Sequence, residues 1–148
     1  MQKIMGFFDS LLKVTTPEIK SEKEAYAAII YASMAIDGEI SEEEVHDLIE
    51  MVSHNKMFKG SNINEIFKTI AANYKAAGSF EKMVEVAIPK ITDAHKEKLF
   101  VTVIDIILSD GIIAHKEKEL IEKLKMGLGI SDDLATKAVE VLLIKNKE

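Results

Sequence analysis

The feature that most constrains this chain is a unit it uses twice: a long apolar run compatible with a helix, halted by Asp-Gly, then an acidic helix start. In the first copy, Ala25 to Ile36 is apolar nearly all round and leads into Asp37-Gly38-Glu39-Ile40-Ser41-Glu42-Glu43-Glu44. In the second, Leu99 to Leu108 leads into Ser109-Asp110-Gly111-Ile112-Ile113-Ala114 and on to Glu117. Asp, Gly, Ile and Glu recur at the same offsets, with 73 residues between Asp37 and Asp110. A helix that is apolar on all sides must be surrounded by other elements. Two of them predict a helical body in which both are central and pack on each other, with the two Asp-Gly turns close in space.

The first turn can be read residue by residue. Gly38 suits a left-handed position just past a helix end, where other residues are strained. Ser41 and Glu44 have the S-x-x-E spacing of a capping box, in which each side chain bonds the other's backbone amide. Asp37 is not explained this way, because a carboxylate at a helix C-terminus faces the negative end of the macrodipole. It requires either turn amides or a cation. In the second copy Ala114 stands at the cap position, so half of the box is missing while Glu117 persists.

The rest of the chain reads as helices. Ser21 with Glu24, Asn62 with Glu65, Ser79, Thr92 or Asp93, and Ser131 are candidate N-caps. Predicted helices cover about Glu22 to Asp37, Glu42 to Asn55, Asn62 to Gly78, Ser79 to Pro89, Asp93 to Ser109, His115 to Lys125, and a last one after Ser131. The β-branched run before Ser109 could pass for a strand, but its length favours helix. Leu134, Ala138, Val141, Leu142 and Ile144 are expected to dock the last helix, and Gly127 to Ile130 to end the one before it. The fold class is therefore all-α: a single compact domain of about seven to eight helices in two pseudo-symmetric halves. We divide the chain into an N-terminal amphipathic arm, residues 1–20, and a helical domain, residues 21–148. In the arm, Ile4, Phe7, Phe8, Leu11 and Leu12 recur at helical spacing, and with few basic residues beside them they are expected to pack on the domain more than on a membrane surface.

Composition excludes several classes. With 148 residues there is enough chain for a core without staples. The absence of Cys removes disulfides, thiol nucleophiles and Cys-based zinc sites. A net charge of −6 spread over mixed-sign faces argues against a nucleic-acid footprint and favours cations or basic partners. No apolar run approaches the roughly 20 residues that span a bilayer, and no signal-peptide pattern is present, so a cytoplasmic location is expected.

Oxygen-rich residues at the two turns suggest a hard cation. The spacing matches only the second half of a calcium EF-hand loop, and Ser33, Ala35, Ile106 and Leu108 occupy positions where its first carboxylates would stand. A site shared between the turns is the more plausible arrangement, with Asp37, Glu44, Asp110 and Glu117 as ligands of a divalent metal and Asp105 or Glu43 in support. Asp105, a lone acid in an apolar run, needs a partner: an internal cap, a salt bridge or a metal. His46 follows Glu43 at the E-x-x-H spacing of di-iron bundles, but the equivalent position in the second copy is Glu119. No nucleophile triad, phosphate loop or H-E-x-x-H zinc motif is present, so an enzymatic role is not expected.

Ala35-Ile36-Asp37-Gly38-Glu39-Ile40-Ser41-Glu42-Glu43-Glu44, Ser109-Asp110-Gly111 and Leu128-Gly129-Ile130-Ser131 together resemble the tellurite-resistance TerB family over about Tyr26 to Leu143. The resemblance implies an all-helical fold in two related halves, a cytoplasmic acidic patch suspected of metal binding, and a part in tellurite and general stress response. It implies no established reaction. The alternative is a protein-interaction module in which the acidic turns are structural, with a protein partner or a peripheral membrane complex as its target.

Overall fold

The run ahead of the first Asp-Gly forms a helix, α1 (Glu22–Ala35), and its small side chains explain how it can be central. Ala25, Ala27, Ala28, Ala32 and Ala35 let neighbours approach from several sides, and every residue from Ala25 to Ser33 is buried. The computed structural model describes residues 18–36, 38, 40–109 and 113–147. Around α1 are α2 (Glu42–Ser53), α3 (Ile63–Ala77), α4 (Phe80–Ala87), α5 (Asp93–Leu108), α6 (His115–Gly127) and α7 (Asp132–Lys145). Short 3₁₀ turns at Lys56–Phe58 and Ile88–Lys90 complete an all-α domain with no strand among the described residues. The β-branched run before Ser109 is indeed helical. The N-terminal arm lies, up to residue 17, outside the described residues; Ile19 is buried and the Glu18 carbonyl accepts a bond from Asn73 Nδ2 of α3 at 3.1 Å.

α1 packs on α3, α4 and α5, while α6 and α7 pack on α5. The two apolar helices thus touch, as their composition predicts, and three contacts fix their relative direction. Glu22 at the start of α1 accepts from the Thr92 amide at 2.6 Å and meets His95 Nδ1 at 3.1 Å, both at the start of α5. Tyr26 lies beside Thr102 one turn further along. Met34 near the end of α1 shares a cleft with Ile106 and Ser109 at the end of α5. α1 and α5 therefore run side by side in the same direction. Glu22 and His95 are 73 residues apart, the separation that also relates the two Asp-Gly steps.

Two expectations need correction. Val141 and Ile144 are 62% and 75% exposed; α7 packs mainly on α5, so one stripe, centred on Ala138 and Leu142, is enough to dock it. Met51, which the helical spacing of Val45, Leu48, Ile49, Met51 and Val52 puts on the inner face of α2, is 40% exposed and leaves Leu48 and Val52 as the buried pair. Gly127 closes α6, as expected, and also serves close packing: a Cβ there would meet Ile88 Cδ1 at 2.7 Å, so a side chain would have to push Ile88 aside. The helix ends there in a Schellman pattern, with Ile130 N–H bonding Lys125 O at 2.9 Å and Gly129 N–H bonding Met126 O at 3.3 Å.

Candidate functional site

The first turn has the construction its residues predict. Gly38 has φ of +140°, a region that side-chain-bearing residues rarely adopt, and its N–H bonds Ala35 O at 3.0 Å. Ser41 Oγ then accepts from Glu44 N–H and Glu44 Oε1 from Ser41 N–H, both at 3.1 Å, a complete capping box. Glu43 and Glu44 are exposed on the first turn of α2, where negative charge complements the helix dipole. His46 is exposed on the same helix.

The second turn keeps half of that device. Ala114 has φ −74° and ψ 163°, nearly the −75° and 161° of Ser41, and its N–H donates to Glu117 Oε1 at 2.9 Å. Its methyl group cannot return the bond. Glu117 is only 4% exposed, with Ser33 one of two buried polar or charged residues among those described. A carboxylate is seldom taken from water to this extent without compensating bonds or charge.

Asp105 has found protein partners on α7 and just beyond: Lys145 Nζ at 2.7 Å and Asn146 Nδ2 at 2.9 Å. Partial burial pushes its pKa up, but the bonds from Asn146 and Lys145 outweigh that and hold it below the ordinary 3.8. Of the candidate ligands, Asp37 and Asp110 lie outside the described residues. Glu43, Glu44, Asp105 and Glu117 are not gathered into one cluster: among the described residues no three His, Asp or Glu side chains are grouped as a metal site. The acids that the structure describes are thus divided among a surface cap, a buried half-cap and an ion pair.

Sequence reasoning missed the junction at the other end of α1 and α5. Glu22 bonds Thr92 and His95, and although burial raises its pKa, the Thr92 and His95 bonds and the His95 charge bring it below 4.5. Nothing in the sequence around Glu22 or His95 pairs them, although they stand 73 residues apart like the two Asp-Gly steps. Tyr26 was also missed as a polar residue: it is 1% exposed and its hydroxyl makes no hydrogen bond of good geometry, although Asn55 and Thr102 lie beside it.

The class is an all-α domain built on two parallel apolar helices, each followed in sequence by an Asp-Gly step and then by a helix whose cap amide bonds a glutamate. The chain belongs to the TerB family: the family described as Tellurite resistance protein TerB matches residues 23–139, which takes in both turns and the start of every α-helix but α1. The resemblance read from the two Asp-Gly segments is thereby borne out. Comparison with curated proteins and with solved structures gives no match. Among the described residues, no helix is long and apolar enough to cross a membrane.

Proposed function

We propose that this TerB-family domain is a non-enzymatic cytoplasmic stress-response protein that binds a divalent cation through its paired turns. Asp37 and Asp110 supply the charge, with Glu117 and Glu44 as further oxygen donors. The observation that carries the reading is the parallel packing of α1 and α5, which ends the two helices in a common cleft at Met34, Ile106 and Ser109. Both Asp-Gly steps follow these ends directly in sequence. The buried Glu117 carboxylate adds to the case, since hard cations take oxygen ligands. Glu43 is exposed and Asp105 is held by Lys145 and Asn146, so both fall to supporting roles.

Asp37→Asn with Asp110→Asn tests this, because Asn keeps a short polar side chain for the turn while removing the charge a hard cation needs. Wild type should take up calcium, magnesium, manganese or zinc by calorimetry and melt at a higher temperature with the metal. The double variant should remain helical and lose both effects. Absence of uptake by wild type, or equal uptake by the variant, sinks the assignment. A second reading, a protein-interaction module, is favoured by the exposed apolar residues Val141, Leu143 and Ile144 on α7, and it gains if the metal experiment fails.

A further inference from the structure

α2 and α5 line a groove together with Tyr26, Ile30 and Met34 of α1, which form its floor. Two clefts of about 240 and 290 Å³ are neighbours there, with Met51 and Asp105 lining both. One limb is mostly apolar, lined by Met34, Leu48, Met51 and Ile106 with Asp47 and Ser109, and reaches the Asp105–Lys145–Asn146 cluster. The other contains Tyr26, His54, Asn55, Lys98 and Thr102.

Hydrogen-bond donors are in excess in the second limb. Asn55 Oδ1 accepts from Met57 N–H at 3.0 Å, which leaves its amide NH₂ as a donor. The buried Tyr26 hydroxyl has no well-formed bond, and burial raises its pKa, so it too keeps a proton to donate. Among the described residues, the side chains of Lys98 and His54 are engaged in no ion pair or hydrogen bond. The one acid lining this limb, Asp105, is already neutralised by Lys145. Donors and a cation without an acceptor, beside a trough of flexible methionines, complement an anionic head on an apolar tail.

We infer that this groove binds a small amphipathic carboxylate, its carboxylate held by Lys98, Asn55 and the Tyr26 hydroxyl and its hydrocarbon lying along Met51, Leu48, Met34 and Ile106. From Tyr26 to Met34 the floor is about 12 Å long, eight residues at the helical rise, which suits a medium-length chain. This does not rest on the cation reading, since the groups assigned to the carboxylate, Lys98, Asn55 and Tyr26, are none of the proposed cation ligands.

The probe is octanoate, titrated into the isotopically labelled full chain and followed by amide NMR shifts, with 1-octanol as the uncharged match. Saturable binding is expected, with shifts concentrated on residues 51–55 and 98–105. Lys98→Met, which keeps most of the stem and removes the charge, should weaken binding about tenfold or more, and 1-octanol should bind wild type weaker by a similar factor. Tyr26→Phe keeps the ring and should weaken octanoate binding by roughly three- to tenfold. Should Tyr26→Phe fail to fold, the exposed Lys98 decides alone. No saturable binding, undiminished binding by Lys98→Met, or shifts centred on the exposed face of α7 would each overturn the inference.

Discussion

The helix starts that follow the two Asp-Gly steps have nearly the same backbone at their caps, Ser41 and Ala114, yet they treat their glutamates in opposite ways. At the first, Ser41 and Glu44 exchange two bonds and Glu44 remains at the surface. At the second, Ala114 returns nothing and Glu117 is buried. A cap amide can evidently be satisfied by a solvated carboxylate, so capping alone does not explain why Glu117 is withdrawn from water. The difference teaches that the same sequence offset can carry a surface device in one copy and a core polar group in the other. The same asymmetry appears at the starts of the central helices. Ser21 caps α1 through its own Oγ, bonding Glu24 N–H at 3.2 Å, whereas Thr92 makes no side-chain cap for α5 and its amide is taken by Glu22 of α1. Second-copy helix starts therefore depend on carboxylates where first-copy starts have a serine as well.

The largest effect should come from removing the buried glutamate. Glu117→Ala leaves the Ala114 amide without its acceptor and should destabilise the domain by about 1–3 kcal/mol in urea unfolding. Glu44→Ala removes the same bond at an exposed site and should cost less, roughly 0.5–1 kcal/mol, since Ser41 Oγ still caps α2. Equal losses would erase the distinction between surface cap and core group. If the cation reading holds, Glu117→Ala should also reduce the metal-dependent rise in melting temperature.

Exchanging the cap residues gives a smaller and oppositely signed pair. Ala114 is exposed and already has the extended backbone of an N-cap, so Ala114→Ser should place a hydroxyl at the Glu117 N–H and stabilise the chain by roughly 0.5–1 kcal/mol. Ser41→Ala should cost about as much. Thermal melts of the two variants check both signs. A destabilised Ala114→Ser would mean that the second turn has no room for a completed box, and that the alanine there is chosen for space.

Much of this architecture was legible because it rests on local chemistry. The box at Ser41 and Glu44, the caps at Ser21, Asn62, Ser79 and Ser131, and the all-round apolar character of α1 each depend on a few neighbouring residues. What could not be read depends on which helix a side chain meets. Asp105 needed a partner, but Lys145 and Asn146 lie 40 and 41 residues away, and nothing in the run around Asp105 names them. Val141 and Ile144 fit a helical apolar pattern as well as Ala138 and Leu142 do; only the arrangement of α7, with α5 as its main support, decides which stripe is covered. Glu117 was legible as a cap and a candidate ligand, whereas its burial follows from the packing of α6. The 73-residue offset was visible, and its structural meaning, a common register for α1 and α5, emerges only from the Glu22 and His95 contact.

The smallest expected effect tests that register. Glu22 joins the starts of α1 and α5, and Glu22→Gln keeps an oxygen that can accept from the Thr92 amide while removing the charge facing His95. Its folded pKa lies below the ordinary 4.5, so the unfolded chain takes up a proton first as the solution is acidified. The carboxylate's contribution is therefore complete above pH 4.5 and is lost as pH falls through that value and on through the lower folded one. Because the pair is partly open to solvent, the loss in Glu22→Gln at neutral pH should be a few tenths to about 1 kcal/mol. Asp105 also titrates in this acid range, but it is present in both proteins and cancels in their difference. Urea unfolding of both at pH 7 and near pH 3 should show the gap between them shrinking in acid. A gap unchanged across that range would show that Glu22 acts through packing and hydrogen bonding alone, with its charge contributing nothing to the alignment of the two central helices.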